Sequence, residues 1–362
     1  MMQWIRFLVW GSMLALCCAG AAHAEPYLAV QSGLKCSQCH VNPTGGGLRS
    51  AYGDIYAQTM LPATHIDAGD PWTGDVARLL RIGGDVRFDA SSTQVPHATT
   101  VTQFETEQAR VYLEANLIPD RLAVYVDELV APGNASNREA WMMYQSAQHD
   151  WYIKAGQMYL PFGLRLQDTS ALVDAVSGID MTTPDKALEF GWLRGHWDAQ
   201  LDVSNGTGGG PVTDSRKQYG AQLGWVDALW RVGVAADYDD QSLGSRSTYG
   251  VFGGLHLGPV ALLGQADVVD DHSVAGGHGR RAGLLGEADW LIARGNNLKF
   301  TAEFLDPDHA VQNNGETRWS LVYECTPVQF AQLRLGVRLY DGIPQSDVQH
   351  TRLYFLELHG FF

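Results

Sequence analysis

The residues best placed for chemistry are Cys36, Cys39 and His40, the Cys-x-x-Cys-His of the stretch LKCSQCHVNPTGGGLRSAYG that runs from Leu34 to Gly53. This spacing reads as a c-type haem attachment site. Two thiols three residues apart can add to the two vinyl groups of one haem, and the adjacent imidazole then lies where it can ligate the iron. Histidine ligation is one of the levers by which a protein sets a haem's potential. Two other readings use the same residues. Half of a zinc site would need a second ligand pair, and the only later cysteine is Cys325. A redox dithiol of the thioredoxin kind would sit beside a βαβ pattern, and none follows. The expectation is therefore one covalent haem c, with Cys36 and Cys39 as thioether positions and His40 as proximal iron ligand. Met60 and His65 are both near enough in sequence to be the distal ligand, with His65 preferred.

The elements around the motif set its context. Residues 1–24 read as a secretory signal, with Arg6 as the charged start, an apolar run from Phe7 to Ala19 and Ala22-His23-Ala24 before the cleavage point. The run is too short for a spanning helix of about 20 residues. Covalent haem attachment in bacteria follows export, so signal and motif support one another. Residues 25–78 form the haem segment. Pro43 and Gly45-Gly46-Gly47 suggest backbone passing close to something bulky, and Leu48 to Thr59 suggests one short helix ending before Pro62. The segment is too small for a cytochrome core of its own, so the rest of the chain must wall the haem.

From residue 79 to residue 362 the pattern has period two. Leu80, Ile82, Val86 and Phe88 oppose Arg81, Asp85, Arg87 and Asp89. Val111, Leu113 and Leu117 alternate with Arg110, Tyr112 and Glu114. Phe300 and Phe304 oppose Lys299 and Glu303, while Leu335 and Leu339 oppose Arg334 and Arg338. Such segments separated by turn residues predict a transmembrane antiparallel β-barrel. Sixteen strands can be counted. Tight turns are expected at alternate connections, around Pro119-Asp120, Gln148-His149, Gly195, Asp227, Gly258, Gly295 and Pro327. The intervening loops are expected to be longer and polar, the longest from Pro161 to Lys186. Short periplasmic turns and long outer loops are the pattern of outer-membrane barrels. Both termini then lie on the periplasmic side, placing the haem segment at that mouth or in the lumen. Trp151, Trp192, Trp197, Trp225, Trp230, Trp290 and Trp319 fall near strand ends, as interfacial girdles require.

Composition excludes some classes. A formal charge of −15 leaves no basic stripe for nucleic acid. There is no Ser-His-Asp set, Walker loop or GxGxxG after a strand to suggest a hydrolase or nucleotide enzyme. His272, His278 and His309 show no ligand spacing along the sequence.

An exported monohaem Cys-x-x-Cys-His segment followed by a sixteen-strand barrel resembles the fused cytochrome–porins of the bacterial outer membrane, whose best-known members are iron oxidases. The likeness is to a related subfamily, since this chain is shorter and its haem surroundings, HVNPTGGGLR, differ. Tyr354, Leu356, Leu358, Gly360 and Phe362 resemble the terminal strand that outer-membrane barrels present to their assembly machinery. Gly156 to Leu164, GQMYLPFGL, resembles the strand and loop start of phosphate-selective-type porins, which implies a loop folded into the pore.

The resemblance implies electron transfer across the outer membrane, with lipid around the barrel, a periplasmic electron carrier, and an external metal such as Fe(II)/Fe(III) or another redox partner. Acidic loop residues Asp239, Asp240, Asp270, Asp271, Asp306 and Asp308 would attract cations or simply be solvated. Inward arginines at 81, 87, 110, 334 and 338 would meet haem propionates or pair with acids opposite. The alternative is a solute or ion porin whose haem segment is a plug or sensor. A soluble periplasmic cytochrome with a β-sandwich is the third possibility.

Overall fold

A computed structural model describes residues 25–66, 69–208, 210–212, 214–272 and 278–362. The signal expected over residues 1–24 lies outside them.

Sixteen antiparallel strands close into a barrel. They are β2 (Leu80–Gln94), β3 (Val101–Ile118), β4 (Leu122–Ala131), β5 (Ser136–Gln145), β6 (Trp151–Met158), β7 (Asp185–Trp192), β8 (Trp197–Ser204) and β9 (Gln218–Val226), followed by a second eight. Those are β10 (Trp230–Gln241), β11 (Gly244–Leu257), β12 (Val260–Asp271), β13 (Gly279–Ala293), β14 (Asn296–Asp306), β15 (Glu316–Cys325), β16 (Ala331–Asp341) and β17 (Arg352–Phe361). Each pairs with its sequence neighbour, and β17 closes on β2 through partners such as Leu356 with Ala90 and His359 with Arg87. Closure leaves no free edge, which a sheet in lipid requires. A three-residue strand, β1 (Asp75–Ala77), joins the N-terminal segment to β2.

The two faces of the wall follow the alternation. Val86, Phe88, Val111, Leu113, Phe300 and Leu335 are exposed on the outside, while Arg81, Arg87, Arg110, Glu114, Lys299, Glu303 and Arg334 are buried within. A continuous apolar exterior over a charged interior is the reverse of a soluble fold and is a lipid-facing wall. Trp192, Trp197, Trp230 and Trp290 lie exposed near the tight-turn end. Tyr354, Leu356, Leu358 and Phe362 face outward as their alternation predicts.

Three details differ from the sequence reading. The connection between β10 and β11, expected to be long, is the two-residue turn Ser242-Leu243, because Gln241 already pairs with Gly244. Strand β16 starts at Ala331 rather than residue 328. Phe330 takes φ +71°, and the preceding carbonyls of Thr326 and Pro327 accept from Ala63 and Thr64 of the N-terminal segment. The helix expected from Leu48 starts only at Ala51, because Ser50 caps it: its Oγ accepts from Gly53 N at 3.1 Å.

Two pieces fill the lumen. The first is the N-terminal plug, with α1 (Pro26–Ser32), α2 (Cys36–Cys39) and α3 (Ala51–Thr59). The second is the connection between β6 and β7, which folds inward as expected and carries α4 (Leu172–Ser177) against β12, β13 and β14. The plug enters from the tight-turn end. Lys35 Nζ donates to the carbonyls of Leu193 (2.8 Å) and Trp197 (2.5 Å), Gly33 packs on Ala228, and Arg294 Nε donates to Pro62 O at 2.7 Å.

Candidate functional site

Cys36, Cys39 and His40 are brought together by one helical turn. Lys35 N donates to Gln38 Oε1 at 2.9 Å and Gln38 N to Lys35 O at 3.1 Å, which closes a reciprocal cap. His40 N then donates to Cys36 O at 2.9 Å. Positions i, i+3 and i+4 share one helical face, so both thiols and the imidazole line the same cavity.

The chain beyond His40 turns back sharply. His40 bridges Arg49, and Val41 N donates to Leu48 O at 3.0 Å. Gly45, Gly46 and Gly47 take φ of +92°, +83° and +65° in this loop. A Cβ at Gly45 would lie 3.4 Å from Cys36 Sγ, and one at Gly47 only 2.2 Å from the Tyr125 hydroxyl. The close approach expected of the glycines is thus to the Cys36 thiol on one side and the barrel wall on the other. Helix α3 crosses above α2: Ser50 Oγ donates to Gln38 O at 2.7 Å, and a Cβ at Gly53 would be 2.1 Å from Cys39 O.

Anchors to the wall hold the turn in place. Asn42 Nδ2 donates to both carboxylate oxygens of Glu139 (3.0 and 3.2 Å), while its Oδ1 accepts from Lys154 Nζ at 3.1 Å. Leu48 N donates to Tyr125 Oη at 3.0 Å. At the start of the plug, Lys299 Nζ donates to Glu25 Oε2 at 2.8 Å. All are buried, so the segment belongs to the lumen and is not a tethered module outside it.

The cavity lies between plug and infolded loop. Its empty space, including its open mouth, is about 1160 Å³. Leu28, Ala57, Leu61, Leu164 and Phe252 give it apolar walls, and Arg49, Arg165 and Arg231 bring cationic heads to it. Arg231 Nη2 donates to Ala29 O and Leu34 O at 2.6 Å each, and Arg165 Nη2 donates to Thr44 Oγ1 at 3.3 Å. The five lumen arginines singled out from the sequence are elsewhere. Arg81 meets Glu114, Arg87 meets Asp85, Arg110 meets Asp127, Arg334 meets Glu324 and Glu357, and Arg338 meets Asp168. They pair with acids, and none lines the cavity. Arg49, Arg165 and Arg231 had no signal beyond their charge, since plug, loop and β10 meet only in three dimensions.

Electrostatics narrow the use of the motif. Burial raises the Cys36 thiol, and burial with the neighbouring Cys36 pushes Cys39 up to about 11. Both are protonated at neutral pH, whereas a redox dithiol works through a lowered pKa. No third His, Cys, Asp or Glu joins them at ligand distance among the described residues, so a zinc site is not formed. Burial, reinforced by Arg49, brings His40 down to about 3 and keeps the imidazole neutral. Backbone carbonyls of Gly46, Gly47 and Leu48 face the ring and offset part of that loss. Two free thiols, a neutral imidazole, apolar walls and three guanidinium groups fit an amphipathic macrocycle with two carboxylate tails.

The distal candidates are not in this cavity. Met60 is exposed at the end of α3. His65 Nδ1 lies 3.2 Å from Gln329 Nε2, in a separate hollow beside Trp72 and Phe330. Met181, from the infolded loop, is buried against the turn: its Cε would be 3.1 Å from a Cβ at Gly46. Nothing in its sequence surroundings marks it.

No protein-family model matches the chain, and no characterised protein matches it in sequence. The fold has clear counterparts among solved structures. An anion-selective porin from Comamonas acidovorans superposes with a TM-score of 0.64 at 11% identity, covering 78% of this chain and 99% of the porin. A loop-deletion form of the outer membrane protein OmpT of Vibrio cholerae gives 0.62 at 10% identity, covering 78% and 100%. OprB of Pseudomonas putida gives 0.61 at 9%, covering 78% and 94%. The chain therefore has the sixteen-strand barrel fold of outer-membrane porins.

Proposed function

We propose that this is a porin-type outer-membrane barrel whose lumen is closed by a plug carrying one covalent haem c, and that it passes electrons where porins pass solutes. The observation that carries this reading is the convergence of Cys36, Cys39 and the neutral His40 on an apolar, arginine-rimmed cavity inside the barrel. Bound there, a haem iron would take up and return one electron. Cys36 and Cys39 would hold the group, His40 would ligate it, and Arg49, Arg165 and Arg231 would face its carboxylates. Leu28, Leu164 and Phe252 would exclude water, and the sixteen strands would insulate the site from lipid. A periplasmic carrier would exchange electrons at the tight-turn end, and an external metal or other redox partner at the opposite end. The resemblance to fused cytochrome–porins supports the same assignment.

A second reading is favoured by the porin likeness itself: a solute or ion pore in which the haem-bearing plug is a gate or sensor. A haem-stained denaturing gel of protein purified from outer membranes, paired with planar-bilayer conductance, separates the two. Covalent haem, lost in Cys36→Ala/Cys39→Ala, together with a closed channel supports electron transfer. Steady conductance by the haem-loaded protein would assign the lumen to solutes. A wild-type protein without covalent haem would overturn the haem assignment.

A further inference from the structure

On the opposite end of the barrel from the plug, the stem between β12 and β13 gathers residues that are unremarkable in sequence. Asp271 pairs with Gly279 and Asp270 with Arg280, so continuing the register sets His272 opposite His278. Asp270 and His272 are two apart on one strand and share a face. Directly opposed positions bring Cβ atoms within about 4.5–5.5 Å. One carboxylate and two imidazoles thus meet on the outer surface of the stem, beyond the lipid-facing Val268 and Leu284.

The contacts bear this out. The two rings stack with centroids 4.4 Å apart and planes 14° from parallel. His272 Nε2 lies 3.5 Å from Asp270 Oδ1, and His278 Nε2 contacts the same oxygen. One ligand atom from each residue falls within 4.8 Å of the other two. The backbone fixes the position: His272 N donates to Ser245 O at 2.8 Å.

We propose that Asp270, His272 and His278 bind a divalent transition-metal ion, Zn²⁺ or Cu²⁺, on the outer rim of the barrel. The donor set sorts the cations. Imidazole nitrogen suits zinc, copper and nickel, whereas magnesium and calcium prefer all-oxygen shells. A tetrahedral ion with bonds of about 2.0–2.1 Å needs its ligand atoms roughly 3.3 Å apart. Side chains 35–57% exposed close that gap by rotation. Three protein ligands leave a fourth position open to water. Arg280, across from Asp270, opposes the ion's charge; its carbonyl accepts from His309 N at 2.9 Å, and His309 Nδ1 lies 3.1 Å from Asp306 Oδ2. This site is independent of the haem assignment, lying on the opposite face of the wall.

The test uses the whole protein in detergent after treatment with chelator. Zn²⁺ titration by calorimetry should give one saturable site, and one equivalent of Cu²⁺ should show nitrogen hyperfine structure from two imidazoles in its paramagnetic resonance spectrum. His272→Ala and His278→Ala should each weaken Zn²⁺ by at least the roughly 10–100-fold that loss of even an outer-shell partner costs, and should remove one nitrogen from the copper spectrum. Heat-modifiable gel mobility confirms that each variant still forms the barrel. Zn²⁺ affinity unchanged in the His272→Ala/His278→Ala double variant, or no saturable site in the wild type, would overturn the proposal.

Discussion

The two pieces that fill the lumen are held in different ways. The infolded loop is tied to the wall at both ends, and its side chains take up inward-facing groups at the outer half. Leu172 N donates to Glu303 Oε2 at 2.6 Å, Leu164 N to Gln265 Oε1 at 2.7 Å, and Arg318 reaches Asp168 Oδ2 at 2.9 Å. The plug is continuous with the barrel only through β1. It stays because it completes buried charge: Glu25 on Lys299, and Asn42 between Glu139 and Lys154. A wall evolved around water would leave these groups wet. Here they are dry, and breaking one partner of a buried pair is expensive because the other charge stays behind.

Deleting residues 25–78 while keeping the export signal should therefore have the largest effect. It removes the element that spans the tight-turn end and should flood the lumen, raising its conductance. Deleting the α4 turn of the infolded loop should leave conductance low, because the plug remains. Planar-bilayer recording of the two deletions sharpens the comparison. High conductance from the loop deletion and low conductance from the plug deletion would mean that the loop, not the plug, closes the lumen.

Lys299→Met comes next. Its ammonium has Glu25, Glu287, Asp289 and Glu324 within 4.0 Å. Losing it leaves a cluster of carboxylates around a buried site and should cost about 3–5 kcal/mol. The loss should fall on the plug, read as faster proteolysis of α1 with the barrel still heat-modifiable. Arg318→Met makes the matching break in the loop and should leave the plug protected. Gly53→Ala is milder. The new methyl would meet Cys39 O at 2.1 Å, and overpacking of this kind costs about 1–3 kcal/mol. It should separate α3 from α2 and lower haem loading, which a haem stain normalised to barrel protein would register. Full loading would show that α3 moves freely over the cysteines.

How much of this was legible depends on whether chemistry is written along the chain or across it. The wall was legible because a strand in lipid forces period two, and Arg81, Val86, Arg87 and Phe88 display it openly. The clustering of Cys36, Cys39 and His40 was legible because one helical turn makes sequence neighbours spatial neighbours. The cavity was not. Its arginines come from plug, loop and β10, and nothing in the sequence distinguishes Arg231, which lines it, from Arg334, which pairs with acids. His272 and His278 failed as a ligand set by sequence spacing and became neighbours only once the β12–β13 register was fixed. The length of the β10–β11 turn was missed because Ser242-Leu243 carries no turn dipeptide strong enough to override its polar flanks.

The smallest effect concerns one carboxyl of the plug. Asp54 lies 3.4 Å from Arg81 Nη2, which argues for a lowered pKa, yet its proton is held to about 6 against an ordinary 3.8. Burial outweighs the pull of Arg49 and Arg81, the second of which also serves Glu114 and Thr73 O. The sign follows. Below about pH 4 the carboxyl is protonated whether the plug is docked or free, and docking carries no ionic penalty. As pH rises through 4 to 6 the free carboxyl ionises first, so docking loses stability, at most about 1.4 kcal/mol per pH unit. Above 6 both forms are ionised and the loss is constant. Protection of α3 from proteolysis should thus fall between about pH 4 and 6 and level off beyond, while Asp54→Asn should remove that slope without altering the loop. A slope that survives in Asp54→Asn would assign the pH response to another group, and one that appears equally in the loop would mean that plug and loop leave the lumen together.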